Sequence, residues 1–305
     1  MTGILYALIT IVAWGTWLAP AQNLPLRNQQ TKTFYMASAN LLLAGLVAAT
    51  QNLGGLSLAV FWPPFLGGLV WSVSGLCAFI ASARLGTARA FGIWAPINII
   101  VSLVWGALLF DEFIDLTAAN QLVLGFALIL ILAGVVMIIQ PGKGGREPRL
   151  AGPGQPSSWP GLLAALGAGV LWGSYFLPIK ASQVPLWVAN LPFALGIFAG
   201  SLGLMAAARR TGQALLQLPR PVDLLRVCAT GWLWGVGNYG SLLLIETLGA
   251  GKGFTIAQLS VIVNALTGIF WLKEPPPRSR AAVLTLTGCA LATLGGILLG
   301  NLKGG

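Results

Sequence analysis

Hydrophobic residues run through this chain in long blocks separated by short polar joints. Residues 1–26, 33–83, 90–110, 116–142, 150–179, 181–208, 227–245, 253–272 and 281–302 contain no Asp, Glu, Lys or Arg. A membrane-crossing helix needs about 20 mostly apolar residues, and the block 33–83 is long enough for two. The pattern predicts ten spans, over roughly 3–22, 33–50, 63–83, 88–110, 119–139, 159–180, 185–208, 227–246, 252–272 and 281–300. The third is expected to open at Pro63-Pro64, because proline is tolerated in a first helical turn. The longest polar joint is 141–158, rich in Pro and Gly and carrying Lys143, Arg146, Glu147 and Arg149. It divides the chain into an N-terminal five-helix unit, 1–140, and a C-terminal five-helix unit, 159–305.

The two units echo each other. Trp14-Gly15-Thr16-Trp17, followed by Pro20, returns as Trp172-Gly173-Ser174-Tyr175, followed by Pro178. Ala39-Asn40-Leu41 returns as Ala189-Asn190-Leu191, Trp71 as Trp234, Leu85-Gly86 as Leu248-Gly249, and Glu112 as Glu274. The order is the same in both units. An odd number of spans per unit forces the second to cross in the opposite sense, which predicts an inverted-topology repeat. Secondary transporters have this architecture, with solute bound at mid-membrane where the repeats meet.

Charge adds an orientation. Fourteen of the 17 Lys and Arg fall in the joints after spans 1, 3, 5, 7 and 9, and only Lys180, Lys252 and Lys303 fall on the other side. Basic loops stay cytoplasmic, so both termini are expected outside and the 141–158 linker inside, in a multi-pass plasma-membrane protein. The net charge of +10 is thereby read as topology and not as nucleic-acid binding. Composition agrees: 56% hydrophobic, 8% charged, mean hydropathy +0.83. The first block lacks a basic start and reads as a span, not a signal peptide. With no His and three Cys scattered through apolar blocks, neither a metal site nor a cofactor is expected. The same scarcity of His and acids argues against a membrane-embedded enzyme. No GxxxxGK[ST] motif points to an ATP-driven pump.

The candidate chemistry is aromatic and amide. Trp14/Trp17 and Trp172/Tyr175 lie three residues apart, on one helix face each. Trp17 and Tyr175 read equally well as interface anchors, whereas the deeper Trp14 and Trp172 need a partner for their N–H groups or an aqueous cavity. Trp71, Trp94 and Trp234 extend the aromatic set. Asn40, Asn98, Asn190, Asn238 and Asn264, with Ser74, Tyr239 and Gln258, offer hydrogen bonds to a solute or to neighbouring helices. Pro20, Pro96, Pro178 and Pro192 are hinge candidates, since proline removes a helical hydrogen bond. Lys180 and Glu246 are the candidates for coupling to protons or fixing a charge. Gly196/Gly200 and Gly231/Gly235, four apart, mark faces for close helix approach. Glu274 is expected to pair within its own loop, with Lys273, Arg278 or Arg280.

Three stretches carry a resemblance. They are Gly173-Ser174-Tyr175-Phe176-Leu177-Pro178-Ile179-Lys180, with its weaker copy Gly15–Gln22; Phe61-Trp62-Pro63 with Gly67-Gly68 and Trp71, followed by Leu85-Gly86; and Gly231–Trp234 with Gly268-Ile269-Phe270-Trp271-Leu272-Lys273-Glu274. With them the chain resembles the glucose/ribose porter and rhamnose-transporter branch of the drug/metabolite transporter superfamily. Two departures stand out: Gln22 where the second copy has Lys180, and Ser72-Val73-Ser74-Gly75 where relatives tend to have Gly-Asn. The resemblance implies an all-α, ten-helix fold of the EamA-like kind and uptake of a carbohydrate, with protons as the candidate coupling ion. The competing expectation is transport of another small metabolite, such as an amino acid or nucleoside, on the same scaffold. The expected partners are a small polar solute and membrane lipid.

Overall fold

The structure, a computed structural model, describes residues 2–26, 28–109, 116–140, 159–182, 186–210, 220–248, 256–257 and 259–302. The 141–158 joint, Gln258 and the Lys180 side chain lie outside the described residues. The helices are α1 (Thr2–Thr16), α2 (Gln29–Ala48), α3 (Leu58–Leu85), α4 (Thr87–Leu109), α5 (Ala118–Ile139), α6 (Trp159–Trp172), α7 (Leu177–Ser182), α8 (Leu186–Arg210), α9 (Pro221–Leu248), α10 (Ser260–Leu266) and α11 (Arg280–Gly300). Among the described residues, seven helical stretches are long and apolar enough to cross a membrane. They correspond to the expected spans 1, 3, 4, 5, 6, 7 and 10. The other three fall on α2, on α9 and on Ser260–Trp271, where α10 runs into a single π turn, Thr267–Trp271.

Polar residues in the joints start the helices. Asn28 Oδ1 accepts from the Gln30 N–H at 2.8 Å, and Ser57, Thr117 and Ser279 cap α3, α5 and α11 in the same way. The Ser57 cap explains why α3 opens at Leu58, one turn earlier than the proline pair suggests; Pro63 and Pro64 lie inside the helix. Gly86, at φ 81°, ends α3 in a conformation that favours glycine. Arg89 donates to the Ile138 and Ile139 carbonyls, satisfying the C-terminus of α5 from the neighbouring α4.

Two expected spans are broken. The first leaves the helix after Thr16 and resumes as a 3₁₀ turn, Ala19–Ala21. The sixth leaves it after Trp172 and resumes at Leu177. Pro20 and Pro178 sit at the start of the second pieces, where a missing N–H costs little. The breaks themselves fall at Trp17–Leu18 and Gly173–Phe176. Pro96 and Pro192 lie inside helices that continue through them.

Packing joins early helices to late ones. α3 lies against α6 and α8, α9 lies against α1 and α2, and α5 lies against α11. Glycines set the spacing. A Cβ at Gly196 would fall onto the Phe65 carbonyl of α3, and one at Gly231 onto the Met36 carbonyl of α2. The faces expected for close approach are therefore used, one in each pairing. Leu122, Phe126, Ile129 and Leu132 of α5 are exposed, as a lipid-facing surface requires.

Candidate functional site

The two breaks place side chains that regular helices could not. Ending α1 at Thr16 frees carbonyls of its last turn, and Asn264 of α10 donates to the Gly15 carbonyl at 3.0 Å. Beyond α6, Ser102 of α4 reaches the Gly173 carbonyl at 3.4 Å and the Asn98 Oδ1 at 3.2 Å, and Trp105 Nε1 donates to Ser174 Oγ at 2.9 Å. Each break is thus held from a helix of the other part of the chain. The chain within each break turns an aromatic side chain inward, Trp17 in one case and Tyr175 in the other.

Those aromatics meet in the centre. Trp17 has ring centroids 6.5 Å from Trp71, 6.1 Å from Trp172 and 5.9 Å from Phe79. Trp71 lies 5.8 Å from Trp172 and 4.5 Å from Trp234, and Trp94 lies 5.3 Å from Trp172. Phe193 connects this group to Tyr175 at 5.3 Å and to Trp234 at 6.0 Å. Trp17, Trp71, Trp94, Trp172 and Trp234 are each at most 8% exposed. Trp17 is therefore an interior side chain and not an interface anchor. Tilted and edge-on contacts such as these are favourable ring geometries.

Beside the aromatic group lie amides. Asn238 Nδ2 donates to Asn190 Oδ1 at 2.8 Å. Trp14 packs across Gly237, next to that pair, where any larger residue would collide with the indole. Asn40 is buried with its Oδ1 against Gly235 of α9. Tyr239 stacks on Trp187, centroids 5.7 Å apart with planes at 27°. Among the described residues, nine side-chain polar atoms are buried without a hydrogen-bond partner, and four of them belong to expected site residues: Trp14 Nε1, Trp172 Nε1, Asn190 Nδ2 and Asn264 Oδ1. Each such group costs about 1–3 kcal/mol. The named side chains are all uncharged, so the set can donate to and accept from hydroxyl groups and present ring faces, but it offers no counter-charge.

Other expected residues sit differently. Ser74 is buried and bonds to the Trp71 carbonyl of its own helix at 2.7 Å. Glu246 is exposed near the end of α9. Cys77, Cys228 and Cys289 are free thiols. Phe79, Phe193 and Trp187 were not singled out by the sequence pattern. Phe79 lies two turns from Trp71 on the same buried stripe of α3, a spacing that would have identified it.

Glu274 also differs from expectation. Its carboxylate accepts from Gln22 Nε2 at 2.7 Å and from Asn23 Nδ2 at 3.1 Å, reaching across to the end of the first span and not to the cations of its own loop. Gln22 Nε2 lies 3.1 Å from the Ser82 carbonyl as well, and Arg226 donates to the Gln22 carbonyl at 3.2 Å. Hydrogen bonds to a charged group contribute about 1.5–3 kcal/mol each.

The family model described as "Sugar transport protein" matches residues 5–302. A relative from Enterococcus faecalis, named "Putative sugar uptake protein", is 27% identical over 301 residues, covering 98% of this chain and 99% of the relative. A Bacillus anthracis protein of the same description is 26% identical over 303 residues, 99% of each chain. A solved crystal structure superposes with a TM-score of 0.59 at 22% identity, over 97% of this chain and 96% of that one, which is a likeness of fold. A multi-pass helical chain matched by that model over nearly its whole length belongs to the sugar transport protein family.

Proposed function

We propose that this protein carries a neutral sugar across the plasma membrane by alternating access, binding it between Trp14, Trp172, Asn190, Asn238 and Asn264. The observation that carries the reading is the set of buried, unpartnered polar atoms beside an aromatic group. A sugar supplies what they lack: hydroxyl oxygens to accept from the two indole N–H groups and Asn190, a hydroxyl hydrogen for Asn264 Oδ1, and C–H faces for the rings. Leaving those atoms unpaired penalises the empty state, so a ligand that pairs them gains selectivity.

The mechanism we propose follows from a ten-span, five-plus-five inverted repeat of the drug/metabolite transporter kind. Its support is the exchange symmetry of the packing. α3 on α6 and α8 corresponds to α9 on α1 and α2, and α5 on α11 corresponds to itself. The matched breaks after Thr16 and Trp172 fit the discontinuous helices of transport sites. In this reading the 1–140 and 159–305 units rock about the aromatic centre, with Pro20 and Pro178 starting the pieces that move. The ends of α3 and of the first span, together with the start of α9, lie next to joints rich in Lys and Arg, which supports the assignment of that end to the cytoplasm.

A thermal-shift screen of the purified protein against neutral sugars, polyols, amino acids and nucleosides tests the reading. A ligand that binds only the folded state raises its stability by mass action. Stabilisation by a neutral sugar, reduced in Trp172→Phe, supports it; stabilisation confined to amino acids or nucleosides would replace sugar by that class. Flux of the stabilising solute into proteoliposomes, with and without a proton gradient, then reads coupling.

A further inference from the structure

We infer that Gln22, Asn23 and Glu274 form the latch that closes the solute path at the Lys/Arg-rich end, and that its opening controls release on that side. The inference rests on the transport reading. Three elements converge on one buried residue: Gln22, 8% exposed, is tied through its side-chain amide to the Ser82 carbonyl at the end of α3 and to Glu274 after the π turn, and through its backbone carbonyl to Arg226 of α9. Nothing in ordinary helix packing requires a glutamine amide there. The equivalent position in the second copy of the motif is Lys180. A lysine facing Glu274 would make an ion pair; the amide makes a neutral-to-charged bond that is specific yet weaker.

The carboxylate is presented by its backbone. The Glu274 N–H donates to the Gly268 carbonyl at 2.8 Å. Gly86 makes room on the other side: a Cβ added there would lie 2.9 Å from Glu274 Cβ. Asn23 and Lys273, on the two sides of the contact, have φ of 60° and 59°, a left-handed conformation that non-glycine residues adopt only when surrounding contacts hold them. Immediately before the latch comes Trp17, wedged between Trp71, Trp172 and Phe79. Trp17 and Gln22 belong to the irregular end of the first span, so one movement of that segment withdraws both the ring from the aromatic group and the amide from Glu274.

The test uses the full chain with Cys77, Cys228 and Cys289 replaced by Ala and a single reporter, Ala78→Cys. Ala78 is fully buried on α3 in the same cluster as Trp17 and Phe79. Its alkylation by a membrane-impermeant maleimide is followed in detergent, without solute. Glu274→Gln should raise the alkylation rate about tenfold or more, the factor expected for losing one charge-assisted hydrogen bond. Gln22→Lys, which substitutes an ion pair, should lower it. Equal rates in the parent, Glu274→Gln and Gln22→Lys would overturn the latch, provided all three keep a cooperative melting transition. Should Glu274→Gln fail to fold, the slower reaction of Gln22→Lys carries the test, and an unchanged or faster one overturns it. Because no sugar is present, these outcomes stand apart from the ligand screen: a screen in which no sugar binds removes the solute assignment and leaves the latch result readable.

Discussion

At the scale of single residues, the consequential atoms are hydrogen-bond donors with nothing to donate to. Trp172→Phe keeps a ring against Trp17, Trp71 and Trp94 and removes one such donor. The melting temperature of the empty protein should stay the same or rise, while sugar affinity should fall about tenfold, the value of a hydrogen bond to a buried group. Calorimetric titration beside a melting curve checks both, and a parallel loss of stability and affinity would point to a packing role. Much of this site was readable beforehand, because each of Trp14 and Trp172 has its counterpart at the same place in the repeated motif. The partner of Glu274 was not. Lys273, Arg278 and Arg280 are near in sequence and looked sufficient, whereas the amides that hold the carboxylate come from 252 and 251 positions away.

At the scale of helices, two of the four proline candidates, Pro20 and Pro178, lie just past a break, while Pro96 and Pro192 lie in helices that run on through them. Proline explains where a second piece can begin; it does not explain where the first must stop. The stop depends on acceptors being freed and then satisfied from elsewhere, by Asn264 at Gly15 and by Ser102 at Gly173. Those donors belong to other helices, so no local pattern reports them. Asn264→Leu leaves the Gly15 carbonyl without its partner, at a cost of about 1–3 kcal/mol, and also removes the unpartnered Oδ1, which offsets part of that cost, so the net loss should fall below that range; a denaturation midpoint in detergent measures it. Glycine spacing was more legible, because a bare face four residues long has few uses in a membrane helix. Gly196→Ala and Gly231→Ala each press a methyl group onto a carbonyl of the facing helix, and each should cost about 1–3 kcal/mol. Comparable losses for the two would match their corresponding places in the packing.

At the scale of the whole molecule, the orientation we propose from the distribution of basic residues can be checked from outside the cell. In a cysteine-free background, Gln51→Cys in the joint before α3 should react with an impermeant maleimide added to intact cells. Arg278→Cys, in the joint before α11, should react only after the membrane is opened. The reverse pattern would invert the topology. The class of the fold was legible because hydrocarbon imposes a length and a polarity on every span; which span touches which was not, because all of them are apolar. One feature of that packing bears on how the protein is made. α5 rests on α11, with Gly134 against Gly288 and the Ala127 carbonyl against Gly295. On the ribosome, the fifth helix emerges more than a hundred residues before the helix that will cover its glycine face. During that interval the nascent chain sits half-assembled in the lipid, where membrane chaperones and quality-control proteases can recognise the uncovered groove. Truncation before Arg280 leaves it uncovered for good, so a shortened chain of this kind should be degraded faster than the full chain even though every residue of the proposed site is present.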